Sequence, residues 1–459
     1  MYKKIIVSLI TFQSLLFAQH LEIKNKIDNV LSGIPASSGY SVLIYDPVSK
    51  DTIYQKNAFA IRKPASNTKL FTTGVALSTM GGDFEIPLSI LSDDDKFSAG
   101  IVQGNLYIKG YGNSIITDND IEKLAVRLKE MGIRKIEGKI IGDDSYFDSV
   151  YHRSDWIEDE YSSVPLPPVS AIVINRNRVS LRISPSSGEL LPSCRTIAVV
   201  INTDVTKRKT SVTVRQLISP GKYQFIVSGK VRRNSSLTET VEIKDPALFA
   251  ACLFKDRLLK NGIEVTGIAD RGIAPESSTE LAHKSVVLKD LIALINKHSD
   301  NYLAECLFKT LGANYSGKEG NAFYATQAVM SFINTRNISI KGSAIVDGSG
   351  LSHYNQITAA SIVDLLKSIY FDKALYQDFY NSLSIMGVDG TLRNRLIGTP
   401  AANNMHGKTG TLRDVIALSG YMKDKNNKDL IISMIFEFER GSSFYYREKE
   451  DEIVDLLLR

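Results

Sequence analysis

The spacing of hydrophobic positions changes along the chain, beginning with a short α/β pattern. Residues 21–31 have helical spacing, and residues 41–45 and 52–55 alternate as two strands joined by a turn. Apolar residues then recur every three to five positions over residues 70–80, until a Gly-Gly pair follows. The pattern predicts a helix, a hairpin and a second helix, and Ser66 lies where that second helix begins.

From about residue 97 to 245 the pattern becomes one of short alternating segments, which are typical of strands. One predicted helix, residues 118–131, interrupts them. Helical spacing then returns, and strand-length apolar runs follow near the C-terminus. The later helices are predicted over residues 247–261, 285–297, 302–311, 324–336, 361–369 and 448–458. The fold class predicted is α+β, with a domain formed by residues 19–96 and 246–459 and a β-rich insertion over 97–245 that has room for two small nested domains.

The first residues have the pattern of an export signal. Lys3 and Lys4 precede an apolar run over residues 5–17, and Ala18 is a small residue at a suitable cleavage point. The run is shorter than the roughly 20 residues that span a bilayer, and polar residues interrupt it. Residues 1–18 are therefore predicted to be a cleaved signal peptide. The mature protein is expected to be periplasmic or otherwise extracytoplasmic, without a stable membrane span.

Composition and charge exclude some partners. The chain has 459 residues with 43% hydrophobic side chains, enough for two or three domains. Its formal net charge of +5 comes from dispersed basic residues, so no nucleic-acid partner is predicted. Cys194, Cys252 and Cys306 have neither zinc-site nor disulfide-framework spacing. Cys252 and Cys306 are expected to be buried on apolar helical faces, and a bridge between them stays open.

Candidate chemistry begins at Ser66 and Lys69, which lie at positions i and i+3 and therefore on one side of a helix. A lysine amine can take the proton of a serine hydroxyl if burial or nearby positive charge lowers its pKa. The S-x-x-K pattern is weak by itself, because residues 219–222 match it on a Pro-Gly turn. Taken alone, Ser66 also fits an N-cap serine.

Two further motifs follow. Residues 299–301, Ser-Asp-Asn, lie on a tight loop between two predicted helices, although alone they fit a cap or a turn. Residues 406–411, His-Gly-Lys-Thr-Gly-Thr, lie on a predicted strand. Glycine in a strand often marks close approach of a ligand backbone, and Lys408 supplies a charge for a carboxylate. A strand end beside a bulge is the alternative for this motif.

The order S-x-x-K, S-D-N, K-T-G is the set described for penicillin-recognising serine enzymes, and it is far more specific than its parts. On these motifs the chain resembles the D-alanyl-D-alanine carboxypeptidase/endopeptidase family, the low-molecular-mass class C penicillin-binding proteins. Residues 347–352, 387–393 and 142–147 resemble segments of that family, and the long interval between the first two motifs fits its inserted domains. Residues 111–113 depart from the Gly-rich segment expected there.

The resemblance implies an antiparallel sheet flanked by helices and a serine DD-carboxypeptidase/DD-endopeptidase. Its substrates would be peptidoglycan stem peptides, its covalent inhibitors β-lactams, and it would need no cofactor or metal. The implied roles are Ser66 as acylated nucleophile, Lys69 as its base, Ser299 and Asn301 as groups that relay the leaving-group proton and hold the peptide amide, and Lys408, Thr409, Gly410 and Thr411 as substrate-binding residues. Backbone N–H groups of Ser66 and Thr411 would form the oxyanion hole.

Two alternatives stay open. A serine β-lactamase shares the acylation chemistry, but the E-x-x-L-N pattern of a class A enzyme is not found between the first two motifs. A non-catalytic penicillin- or peptidoglycan-binding protein could keep the same fold. The large insertion is unlike a compact β-lactamase, and the intact motifs argue against a protein that has lost catalysis.

Overall fold

The computed structural model describes residues 21–94, 99–156, 166–439 and 441–459. The predicted signal peptide, residues 1–18, lies outside the described residues. Among the helices that are described, none has both the length and the apolar character needed to cross a bilayer.

Ten α-helices lie within the described residues. They are α1 (21–32), α2 (Thr68–Met80), α3 (Asp118–Glu130), α4 (Pro246–Lys260), α5 (Leu288–His298), α6 (Asn301–Ser316), α7 (Ala322–Thr335), α8 (Ala359–Tyr370), α9 (Lys373–Ser382) and α10 (Ser443–Leu456).

The strands in the described part of the chain form five sheets. They are β1 (Gly39–Asp46), β2 (Asp51–Lys56), β3 (Glu85–Ser92), β4 (Ile101–Val102), β5 (Leu106–Gly110), β6 (Lys135–Ile136), β7 (Ile140–Asp143), β8 (Arg178–Ile183), β9 (Gly188–Leu191), β10 (Ile197–Thr206), β11 (Ser211–Ser219), β12 (Lys222–Arg232), β13 (Leu237–Glu242), β14 (Glu264–Val265), β15 (Ala269–Arg271), β16 (Thr279–Val287), β17 (Ser384–Ile385), β18 (His406–Leu412), β19 (Val415–Lys423) and β20 (Asp429–Glu437).

The largest sheet joins the two ends of the chain. Its strand order is β17-β18-β19-β20-β1-β2, and all neighbouring pairs are antiparallel. Along β20, Ile431 and Ile435 belong to the core formed with α2, α5, α6 and α8, whereas Ile432 and Phe436 belong to the core formed with α1 and α10. Because side chains alternate across a strand, one sheet supports both cores. The predicted α+β domain with helices flanking an antiparallel sheet is confirmed.

The intervening region contains the other four sheets. A five-stranded sheet in the order β15-β7-β5-β3-β16 and two three-stranded sheets, β10-β12-β11 and β13-β8-β9, surround a core that includes the buried faces of α3 and α4. The short strands β14, β6 and β4 form the fourth. Three strands of the five-stranded sheet, β3, β15 and β16, lie outside residues 97–245. Ser219 and Lys222 face each other at the end of the β11–β12 hairpin, so the second S-x-x-K match is a turn, as predicted.

Some predicted helix bounds are wrong. Residues 285–287 were assigned to a helix by their spacing, but they end β16 and pair with β3, and α5 begins at Leu288. Helix α9 is not predicted by the sequence pattern. Its only buried apolar side chains are Leu375 and Phe379, which give too little periodicity to detect.

The three cysteines are buried and form no disulfide. Cys252 packs in the core of the inserted region, while Cys306 packs in the helical core beside the main sheet. The expectation that both are small buried hydrophobes is confirmed, and the two thiols are not bridged in this structure.

Candidate active site

Ser66 lies in a tight turn at the start of α2. Residues Ala65–Asn67 form a 3₁₀ turn that leads directly into the helix. Ala65 has a φ of +49°, a conformation that costs a non-glycine residue energy and persists only when its surroundings hold it. The Thr68 hydroxyl donates to the Ala65 carbonyl at 2.9 Å, and the Asn67 amide donates to Ser419 of β19 at 3.2 Å. The turn therefore presents Ser66, half-buried, at the helix start as predicted.

Lys69 follows one helical turn later and is fully buried. Its Nζ donates to Ser66 Oγ at 3.0 Å, to Asn301 Oδ1 at 2.6 Å and to the Ser349 carbonyl oxygen at 2.6 Å. Three acceptors match the three N–H bonds of an ammonium group. Burial lowers the pKa of Lys69 to about 8, against an opposing effect of nearby acidic groups. A substantial fraction of this amine is therefore neutral near physiological pH and able to accept a proton.

The second motif forms the junction between α5 and α6. Ser299 ends α5 in the left-handed conformation with a φ of +54°, and the Asp300 carboxylate accepts the Leu303 N–H at 3.0 Å to cap α6. The sharp reversal turns the Asn301 side chain toward Lys69 and the Ser299 hydroxyl toward Lys408. The predicted interhelical loop is confirmed, and both of its candidate polar groups reach the amines of the other two motifs.

Lys408 on β18 is also fully buried. Its Nζ donates to Ser299 Oγ at 2.8 Å and to the Thr409 carbonyl oxygen at 2.7 Å. Burial holds the pKa of Lys408 well below its usual range, and the neighbouring Lys69 acts in the same direction. Among the described residues, no carboxylate forms an ion pair with Lys408. The site therefore contains two buried amines and lacks a matching negative charge close to the second.

Gly410 brings β18 close to the Ser66 turn. A Cβ at this position would lie 2.8 Å from the Pro64 carbonyl oxygen and 3.1 Å from the Ala65 Cβ. From the sequence, this glycine suggests approach of a ligand backbone. The structure shows that the protein's own Ser66 turn also approaches this glycine. Any side chain at 410 would therefore push the strand away from Ser66.

The outer edge of β18 is open beside this turn. Strand β17 pairs only with His406 and Gly407, so no described strand pairs with this outer edge from Lys408 onward, whereas β19 pairs with the inner edge. A groove of about 370 Å³ beside Thr409–Thr411 is lined also by Ile416 of β19 and by Phe444, Arg447 and Glu450 of α10, and its lining does not include Ser66, Lys69 or Lys408. An extended peptide can add to such an edge through backbone hydrogen bonds. The four residues predicted to bind substrate thus follow one another along β18, beside its open edge.

The residues that support Lys69 from the side away from Ser66 are not predicted from the sequence. Ser349, whose carbonyl binds Lys69, lies in the segment 347–352, which the resemblance marks without a role. Its N–H donates to the buried carboxyl of Glu305 at 2.8 Å. Glu305 comes four residues after Asn301 on the same side of α6. An acidic residue on an apolar helix face is a signal that could have identified it.

The inserted region also touches the site. Arg176 lies in a 3₁₀ turn, Asn175–Asn177, and has a φ of +58°. Its guanidinium donates to both carboxylate oxygens of Asp300, at 2.7 and 2.8 Å, and lies 5.4 Å from the centroid of the Tyr302 ring. Since Asp300 lies between Ser299 and Asn301 in the chain, this bidentate pair connects the second motif to the inserted region and helps to fix its position. No local sequence pattern pointed to Arg176.

Replacing Arg176 with alanine is expected to weaken activity and stability moderately. A bidentate bond to a carboxylate contributes about 1.5–3 kcal/mol when well buried, and the half-exposed Arg176 side chain reduces this to roughly 1 kcal/mol. We expect a lower melting temperature and a several-fold lower kcat/KM on the peptide substrate that the sequence resemblance implies. Arg182→Ala is the matched control, because Arg182 forms a surface pair with Glu189 in the same region. Equal effects of the two variants would contradict a specific role for Arg176.

Together, a turn-mounted serine, a buried lysine beside it, a Ser-x-Asn loop and a Lys-Thr-Gly edge strand define a penicillin-recognising serine peptidase. No group of histidine, cysteine or acidic residues within the described segments has a metal-binding arrangement. The sequence profile of the D-Ala-D-Ala carboxypeptidase 3 (S13) family matches residues 23–458. The chain belongs to this family, as the motifs predicted, and is a serine-type D-Ala-D-Ala carboxypeptidase.

Known relatives agree with this assignment. A D-alanyl-D-alanine carboxypeptidase of Actinomadura sp. (strain R39) is 29% identical over 429 residues, covering 88% of this chain and 79% of the relative. The carboxypeptidase DacB of Haemophilus influenzae is 26% identical over 427 residues, covering 90% and 89%. The crystal structure of penicillin-binding protein 4 (dacB) from H. influenzae superposes with a TM-score of 0.75 at 23% identity, covering 94% of this chain and 97% of that one. It shows the same fold.

Proposed function

We propose that this carboxypeptidase cleaves D-Ala-D-Ala termini and D-Ala-linked cross-bridges of peptidoglycan through an acyl-enzyme on Ser66. The observation that carries the proposal is the buried Lys69 amine, which lies 3.0 Å from Ser66 Oγ and has a pKa lowered to about 8. A serine hydroxyl needs a neighbouring base to become a nucleophile, and an amine of this kind meets that need near neutral pH.

In the first step, Ser66 Oγ attacks the carbonyl carbon of the penultimate D-Ala, and the hydroxyl proton passes to the neutral Lys69 amine. The carbonyl oxygen becomes negatively charged. The backbone N–H groups of Ser66 and Thr411 would stabilise it, since donors already in place require no reorganisation. The short distance between Gly410 and the Ser66 turn supports this pairing of N–H groups.

In the second step, the C–N bond breaks and the leaving amine takes up a proton. Ser299 suits the relay, because its hydroxyl accepts a hydrogen bond from Lys408 and can donate its own proton toward the cleft. Asn301 accepts from Lys69 through Oδ1, which directs its amide N–H₂ away from that lysine and toward a peptide carbonyl. Water then attacks the ester, the acyl group leaves as the shortened peptide, and Ser66 regains its proton.

Lys408 and Thr409 suit the terminal carboxylate of the substrate. The Lys408 amine has no carboxylate partner within the described chain, and burial disfavours its charge. A bound carboxylate would supply the missing negative charge and stabilise the ammonium form. Substrates that lack this carboxylate should therefore bind less well, which fits a carboxypeptidase.

We also propose that the protein works outside the cytoplasm after removal of residues 1–18. The substrate class supports this location, because peptidoglycan lies outside the cell membrane. For the domain organisation, residues 19–96 with 246–459 stay the proposed catalytic domain and 97–245 the proposed insertion. The sheet that joins β3 to β16 supports a wider inserted region, from Glu85 to Val287.

Adduct mapping tests the nucleophile. The protein is treated with a penicillin, digested and analysed by mass spectrometry, and release of D-Ala from a peptide ending in D-Ala-D-Ala is followed in parallel. We expect one penicilloyl group, on the peptide that contains Ser66, together with D-Ala release. An adduct on Ser219 or Ser299 would refute the assignment of the nucleophile. Rapid loss of the adduct without D-Ala release would instead indicate a β-lactamase, and a stable adduct without D-Ala release a binding protein.

A further inference from the structure

Two carboxyl groups are buried beneath Lys69 and have no role in the mechanism above. Asp347 is fully buried at the start of the segment 347–352, and Glu305 on α6 is 3% exposed. Neither forms a direct ion pair within the described residues. Burying a carboxyl group is costly unless its charge is balanced or hydrogen-bonded. Two of them side by side therefore need a physical explanation.

The hydrogen bonds divide the two groups into an ionised and a protonated member. Asp347 accepts from the Gly350 N–H at 2.8 Å, the Ser352 N–H at 2.7 Å and the Asn355 amide at 2.8 Å. Burial raises the pKa of both carboxyl groups, that of Glu305 to about 8, and the three donors counter the rise at Asp347. Three donors at Asp347 against one at Glu305 favour the negative charge on Asp347 and the proton on Glu305.

The same turn connects both carboxyl groups to Lys69. Glu305 Oε1 accepts the Ser349 N–H at 2.8 Å, and the Ser349 carbonyl oxygen accepts from Lys69 Nζ at 2.6 Å. Asp347 holds the two ends of this turn through Gly350 and Ser352. The position of the Lys69 amine thus depends on the Ser349 residue, whose backbone is held in place by hydrogen bonds from this turn to Glu305 and Asp347.

We infer that Asp347 is a positioning residue for Lys69: it fixes the turn that holds the amine, and its negative charge opposes loss of the proton from that amine. Glu305 completes the support by binding the Ser349 N–H. The inference rests on the proposed role of Lys69 as the base for Ser66. It adds a group that adjusts the strength of this base without touching the substrate.

Other charged groups face the same amine. Asp300 at the start of α6 also stabilises the charged form of Lys69, more weakly than Asp347, and Glu305 does so when it is ionised. Lys408 on β18 has the opposite effect. Arg153 of the inserted region donates to the Val346 carbonyl at 2.6 Å and lies close enough to stabilise the charged forms of both buried carboxyl groups. With Asp347 neutralised, Asp300 and Lys408 remain, but the pKa of Glu305 falls, because the charge of Asp347 is one of the causes that raise it. An ionised Glu305 then replaces part of the lost negative charge.

The test is the pH dependence of Ser66 acylation by a fluorescent penicillin. The second-order rate constant should rise with pH as Lys69 loses its proton, with a midpoint near pH 8 in the unaltered protein. In Asp347→Asn combined with Glu305→Gln, which removes both buried carboxylates, the midpoint should fall by about one pH unit, since an adjacent opposite charge shifts a pKa by one unit or more. In Asp347→Asn alone the midpoint should fall by less, because Glu305 can then ionise. Asp364→Asn is the control, because Asp364 pairs with Lys367 on α8, and its midpoint should not move.

Glu305→Gln provides a second variant if Asp347→Asn does not melt cooperatively. Glutamine keeps the shape and the hydrogen-bond acceptor of Glu305 but cannot ionise. The midpoint of acylation in this variant should fall by less than one pH unit, because wild-type Glu305 is charged only above about pH 8. Unchanged midpoints in every folded carboxyl variant would overturn the inference while leaving the proposed function intact. Absence of Ser66 labelling in the unaltered protein would instead overturn the proposed function itself.

Discussion

Replacing Lys69 with alanine is expected to slow acylation of Ser66 by about 10²–10⁴-fold, the usual cost of losing a general base. The structure shows why no other group can substitute easily. Among the described residues, Lys69 is the hydrogen-bond partner of Ser66 Oγ, and the second amine, Lys408, bonds to Ser299 instead. Stopped-flow measurement of acylation by a fluorescent penicillin would give the rate constant, and the melting temperature would show that the variant is folded.

Lys408→Ala is the informative comparison. If Lys408 mainly receives the substrate carboxylate, its loss should raise KM more than it lowers the acylation rate constant at saturation. The contact with Ser299 predicts an additional, smaller decrease in that rate constant, because the relay hydroxyl would lose its donor. Equal and mild effects in the two lysine variants would contradict both assigned roles.

The motif residues could be predicted from the sequence because the chemistry constrains their order and their local structure. Ser66 and Lys69 must share one side of a helix, and the structure places their side chains 3.0 Å apart. The loop at 299–301 was predicted from the two helices that flank it, and both helices are present. Local rules were sufficient wherever the partners lie within one turn of each other or within one hairpin.

The remaining parts of the site depend on contacts between distant residues. Arg176 binds Asp300 across 124 positions of sequence, and Lys69 binds Ser349 across 280. No periodicity or composition describes such a pair, since it forms only when separate elements pack together. The predicted start of α5 at residue 285 is wrong for a related reason. Residues 285–287 have helical spacing, yet pairing with β3 keeps them in a strand.

Gly350→Ala is expected to have an effect comparable to the loss of the base itself. Gly350 has a φ of +85°, and a Cβ there would lie 1.9 Å from the Ala65 carbonyl oxygen, next to the nucleophile. The collision involves backbone on both sides, so a rotamer change cannot relieve it. The turn must move away from Ser66 and take the Ser349 carbonyl with it. Displacing a catalytic group by about 1 Å can cost about 10²-fold in rate, and we expect a loss of at least this size in acylation.

Gly81→Ala separates this effect from simple backbone strain. Gly81, at the end of α2, has the same φ of +85°, but an added Cβ would have no atom within 4 Å. Both variants should lose about 1–3 kcal/mol of stability from the unfavourable φ, whereas only Gly350→Ala should also lose acylation. The two measurements are the melting temperature and the acylation rate constant under identical conditions. If both variants acylate at the wild-type rate, the packing of the 347–352 turn against Ala65 does not position Lys69, and the placement of this base must depend on α2 alone.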